Sequence, residues 1–117
     1  MSIQKNLNDH LSGQKVIAVE FIFDYLRISF EDYFLTLYNW PIIFQLSLRY
    51  EKNDINYRNF LCELIGRTVI SANDSESSCI QIYFEKNLSI KISLKDEDRE
   101  APDIALLFDK EQYIMIW

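Results

Sequence analysis

Glycine is almost missing from this chain, with only Gly13 and Gly66 in 117 residues, against a usual share of about 7%. A glycine-rich phosphate loop is thereby excluded, because its backbone must approach the phosphates without Cβ atoms in the way. Cysteine is equally scarce, and Cys62 and Cys79 form neither a CxxC pair nor a Cys/His grouping. The N-terminal stretch Met1–His10 has no apolar core of signal-peptide length, so the expected compartment is the reducing cytoplasm, with two free thiols. One histidine, His10, falls short of the three or four ligands of a zinc site. The expectation is therefore no metal and no other cofactor. No uninterrupted apolar run exceeds five residues, far short of a membrane span. Cations are outnumbered 12 to 18, for a net charge of −6. Such a surface repels a phosphate backbone, so no nucleic acid partner is expected.

Apolar residues are abundant, at 49%, beside 26% charged. That balance belongs to a folded globular chain. At this length one domain, 1–117, is expected to bury about 65% of the surface its unfolded chain shows.

The two glycines divide the pattern. Before Gly66, residues Tyr57, Phe60, Leu61, Leu64 and Ile65 trace the stripe of an amphipathic helix, with Asn53 or Asp54 as cap. Before Gly13, Ile3, Leu7, His10 and Leu11 form a thinner stripe, with Ser2 as cap. Each glycine supplies the left-handed residue that ends a helix.

After each glycine the period changes to two. Leu26, Ile28 and Phe30 match Ile80, Ile82 and Phe84. Hairpin turns follow at Glu31-Asp32-Tyr33 and Glu85-Lys86-Asn87. Leu35 and Leu37 then match Leu88 and Ile90, with alternation continuing to Ile92 and Leu94. Pro41 and Pro102 each precede a further apolar segment, and Gln112–Trp117 reads as a last strand. The expected fold is α+β and strand-dominated. Two helix-plus-β-meander repeats, about 1–52 and 53–117, form a curved antiparallel sheet or partly open barrel with the two short helices packed on it.

Chemistry is hard to find in these residues. His10 has no nucleophile beside it in the sequence, and its plain reading is a helix-face side chain. The run Asp96-Glu97-Asp98-Arg99-Glu100, with Asp103 beyond, lacks the interior glycine and ligand series of a calcium loop. It reads as a solvated loop or a protein-binding surface. If Leu35 and Leu37 face the core, Phe34, Thr36 and Tyr38 face away from it. That row is either a contact surface or covered by a second layer, such as a helix.

The framework Gly13-x-x-Val16, Asp24-Tyr25-Leu26-x-Ile28-x-Phe30 and Asn39-Trp40-Pro41 resembles one known group. So does the ending Pro102-x-x-Ala105, Phe108-Asp109 and Trp117. The group is the small immunity proteins of bacterial contact-dependent growth inhibition and related polymorphic toxin systems. The resemblance implies a non-catalytic protein that binds a cognate toxin domain, a basic nuclease, and occludes its active or substrate-binding surface. No toxin-contacting residue carries over from the group. The residues themselves suggest an acidic rim of Glu31, Asp32, Asp96, Glu97, Asp98, Glu100 and Asp103, with Tyr38 and Trp40 as anchors. An acidic rim steers a basic partner, and buried aromatics then hold it. A monomer or a homodimer fits this reading. The alternatives are a small-ligand-binding or accessory domain, marked by an enclosed apolar cavity, and an enzyme with a carboxylate site.

Overall fold

The computed structural model describes residues 5–117. Helix α1 spans Leu7–Leu11, followed by strands β1 (Val16–Ile22), β2 (Tyr25–Phe30), β3 (Phe34–Leu37), β4 (Ile42–Gln45) and β5 (Leu48–Tyr50). Helix α2 (Tyr57–Cys62) precedes β6 (Val69–Asn73), β7 (Cys79–Phe84), β8 (Leu88–Ser93), β9 (Ala105–Phe108) and β10 (Tyr113–Ile116). A 3-10 turn at Asp96–Asp98 lies between β8 and β9. The strands form two five-stranded antiparallel sheets, ordered β1-β2-β3-β9-β10 and β5-β4-β8-β7-β6. The fold is strand-dominated α+β, and the two sheets are separate rather than closed into a barrel.

The connectivity exchanges hairpins between the halves of the chain. The early β4–β5 hairpin adds to late strand β8, and the late β9–β10 hairpin adds to early strand β3. Helices cross over too: α1 packs on β6, and α2 on β1 and β4. One continuous core results, with Leu26, Ile28, Leu35, Ile82, Ile90 and Leu107 all fully or almost fully buried.

Where the halves meet, hydrogen bonds recur in pairs. Gly13 N donates to Val69 O at 2.9 Å, and Gly66 N to Val16 O at 2.8 Å. Lys15 N donates to the Glu31 carboxylate and Thr68 N to that of Glu85, both at 3.0 Å. Lys15 and Thr68 face each other in an isolated bridge. Edge strands β1 and β6 each carry a bulge, at Ile17 and Ile70, and each bulged isoleucine is exposed. The two glycines have φ of +83° and +89°, which L side chains adopt at a cost. Open space surrounds each absent Cβ, so the cost of substitution is conformational. Gly13→Ala and Gly66→Ala are each expected to lose about 1–2 kcal/mol in urea unfolding.

Several boundaries differ from the sequence expectation. Ser2 and Ile3 lie outside the described residues. Asn6 caps α1, accepting from Asp9 N while the Asp9 carboxylate accepts from Asn6 N. Helix α2 starts at Tyr57, because Asp54 is already used in a turn with Glu51. Leu35 lies opposite Ile28 and Ile90 opposite Ile82, so Leu35 and Leu37 match Ile90 and Ile92, two residues along from the sequence match. The reason is turn length. Tyr33 already bonds back to Phe30, leaving two residues in the first turn, whereas Glu85, Lys86 and Asn87 all lie in the second. Lys86 and Asn87 take φ of 62° and 60° there. The apolar stretch 42–48 is not one strand, since Leu46 at φ 57° turns it into the β4–β5 hairpin.

Candidate functional site

Strand register lines up an aromatic row on the outer face of the first sheet. Ser29 lies opposite Phe34, Phe34 opposite Phe108, and Phe108 opposite Tyr113. A second row runs Arg27, Thr36, Leu106, Ile116. At the far end of β3, Tyr38 packs on Tyr25 with ring centroids 5.4 Å apart. Phe108 and Tyr113 meet edge to face at 6.2 Å, a favoured aromatic geometry. Neither helix takes this face as its packing surface, because α1 lies on β6 and α2 on β1 and β4. Tyr113 is 60% exposed, and Phe23, at the adjoining β1–β2 turn, is fully exposed. A groove of about 460 Å³ runs between Arg27, Phe34, Phe108 and the β9–β10 turn. Charges of both signs border it, with Asp109, Lys110 and Glu111 in that turn and Arg27 on β2.

Asp109 accepts from the backbone N–H groups of Glu111 and Gln112, which hold its carboxyl below the usual carboxylate range. His10 stands near this end of the sheet, 3.2 Å from the Tyr33 hydroxyl. Burial, then Lys5, lower its pKa, against weaker upward pulls from Asp9 and Asp109. A lowered imidazole pKa means that the unfolded chain binds the proton more readily. Stability is then expected to fall as pH drops below about 6.5. An NMR titration of the His10 ring should place its midpoint below that of an unfolded peptide.

A cleft of about 510 Å³ opens on the second sheet's outer face. It lies where the chain passes between sheets, once at Asn39–Trp40 and again at Lys95–Glu100. Trp40 stacks near Phe21, at 6.2 Å, and near Tyr57, at 6.4 Å, with Lys52 5.1 Å from its ring centroid. The Tyr57 hydroxyl donates to the Pro41 carbonyl, tying α2 to the first crossover. Burial pushes the Tyr57 phenol well above its ordinary pKa, with Arg58 opposing.

The acidic residues singled out in the sequence fall into separate places. Glu31 and Asp32 hold the first hairpin against the α1–β1 connection, with Asp32 accepting from the Gln14 side chain at 2.9 Å. Asp98 and Glu100 line the cleft with Trp40. Asp98 accepts from Ser93 Oγ, and Asp96 lies 3.4 Å from Arg99. Glu97 and Asp103 are exposed. Tyr38 and Trp40 follow the C-terminal end of β3, with Glu31 and Asp32 at its other end. Trp40 is therefore a half-buried packing residue rather than a free anchor. Phe108 and Tyr113 escaped the sequence reading because only the β3–β9 pairing brings them to this face, whereas Tyr25 meets Tyr38 through the β2–β3 hairpin.

No family model, curated protein or solved structure matches the chain. Among the described residues no group of three His, Cys, Asp or Glu converges as a metal site, and no helix is long and apolar enough to cross a membrane. The two cysteines are free, Cys62 exposed and Cys79 buried.

Proposed function

We propose that this chain is a non-catalytic protein-binding module of the immunity type, which neutralises a cognate toxin domain by covering its active or substrate-binding surface. The observation that carries the reading is the aromatic face of the first sheet, half-buried at Tyr25, Phe34, Tyr38 and Phe108 and exposed at Tyr113. Aromatic side chains bordered by charge are the composition of binding hot spots. The net charge of −6 favours a basic partner such as a nuclease domain, with Asp109 and Glu111 as the carboxylates beside the aromatic groove.

The paired hydrogen bonds support a further element of this reading, that 1–52 and 53–117 are two copies of one unit. On that alignment the outer-face positions Phe34, Thr36 and Tyr38 answer to Ser89, Lys91 and Ser93. A shared frame with unlike outer faces supports a protein-binding role for the aromatic sheet.

The polypeptide encoded beside this chain tests the assignment. It is expected to be toxic when expressed alone and harmless when this chain is co-expressed. A neighbour that is not toxic, or whose toxicity this chain leaves unchanged, contradicts the proposal.

A further inference from the structure

Four of the chain's 12 cations, Arg49, Lys52, Lys91 and Lys95, line the single cleft between the crossovers. Glu51, Asp98 and Glu100 line it too, so the four cations outnumber the carboxylates by one in a chain of net charge −6. Arg49 is engaged with Glu51 at 2.8 Å. Among the described residues, none of the three lysines has a carboxylate within 4.0 Å. Lys91 projects from the centre of a sheet face, opposite Ile42 and Gln81, where a charged ammonium has no structural task.

Two residues that line the cleft, Asn39 and Trp40, also carry polar atoms that are closed to solvent and lack protein partners. Asn39 is 5% exposed, and its amide nitrogen donates to Ser93 O at 2.9 Å. That bond fixes the amide orientation, since a carbonyl accepts only from the nitrogen, and it leaves Asn39 Oδ1 as an unpaired acceptor. Trp40 Nε1 is buried beside it as an unpaired donor. Leaving buried groups unpaired is costly, so this wall of the cleft is a locally unsatisfied part of the fold. The volume, about 510 Å³, lies within the range of small-molecule sites.

We propose that this cleft binds a phosphomonoester of nucleotide size. The lysines, each a compact charge with three donors, take the phosphate. Hydroxyl or amino groups elsewhere on the ligand donate to the Glu100 carboxylate, and the ligand lies against Trp40, which lines the cleft. Carboxylates in the same cleft exclude a ligand that is anionic throughout, so polyanions such as nucleic acid strands do not fit. The cleft is distinct from the aromatic face and does not depend on the toxin-binding reading.

The full chain should be titrated, at low ionic strength, with the four ribonucleoside monophosphates, ribose phosphate, the parent nucleosides and inorganic phosphate. The readout is the indole N–H resonance of Trp40, distinguished from that of Trp117 by a Trp117→Phe variant. The expected result is that at least one phosphomonoester moves the Trp40 signal and binds more tightly than its nucleoside or inorganic phosphate. Lys91→Gln and Lys95→Gln should each weaken that binding about tenfold. Lys110→Gln, outside the cleft, should leave it unchanged. Thermal unfolding of the three variants should match the parent chain, which separates lost binding from lost structure. No shift from any phosphomonoester up to about 10 mM, a weak affinity even for a metabolite site, overturns the proposal. So does equal binding of inorganic phosphate, or affinity that ignores both lysines.

Discussion

Tyr57→Ala is expected to destabilise the chain by about 3–5 kcal/mol, the range for truncating a fully buried aromatic. The phenol ring is 1% exposed and sits between α2 and the first crossover, with the Trp40 ring 6.4 Å away. Its removal opens a cavity and also frees the Pro41 carbonyl that the hydroxyl satisfies. Tyr57→Phe isolates the second effect and should cost about 1–3 kcal/mol, because a buried acceptor is left without a donor. Urea unfolding of both variants checks the split. The raised phenol pKa adds a pH signature. The folded chain holds the Tyr57 proton more tightly than the unfolded chain does, so this group's contribution is intact below about pH 10 and is lost as pH rises further. Tyr57→Phe should flatten that alkaline decline.

The second large effect concerns recognition rather than folding. Tyr38→Ala and Tyr113→Ala should each weaken toxin binding by at least about 30-fold, a loss of roughly 2 kcal/mol characteristic of hot-spot aromatics. Tyr113 is 60% exposed, so its truncation should cost folding stability no more than about 1.5 kcal/mol, the size of its edge-to-face pair with Phe108. Calorimetric titration of each variant, with its unfolding curve alongside, keeps the two quantities apart. Neutralising Asp109 and Glu111 should slow association and flatten its salt dependence more than it speeds dissociation. Neutralising Asp96, Asp98 and Glu100 tests whether the acidic turn contributes as well. Unchanged affinity and salt dependence would remove that turn from the interface.

Much of the fold is legible in the residues because local rules specify it. Alternation at Leu26, Ile28 and Phe30 and at Ile80, Ile82 and Phe84 marks strands buried on one face, and those six side chains are buried. Gly13 and Gly66 both take positive φ, although their backbone N–H groups bond across to Val16 and Val69 carbonyls rather than only ending helices. Pairings between distant segments were not legible. Nothing in Leu106 or Phe108 says that β9 joins β3 rather than β8, because both partners present equally apolar faces. The aromatic row exists only once that choice is made. The acidic residues illustrate the same limit. Glu31 and Asp32 resemble a charged rim in one dimension, yet each accepts a hydrogen bond that fastens a turn. The Asn39–Trp40 pair looked like framework, and its unpaired polar atoms emerge only when the two crossovers pass each other.

The measurement that bears most directly on the protein-binding account is a capture experiment from lysate of the producing organism. The tagged full chain and its Tyr38→Ala/Tyr113→Ala variant would be compared at low salt and near 0.5 M. The account predicts one basic polypeptide held by the parent chain at both salt levels, lost from the variant, and stripped of its toxic activity on mixing with the parent chain. Retention of nothing, or of a polypeptide that the variant holds equally well, would contradict it.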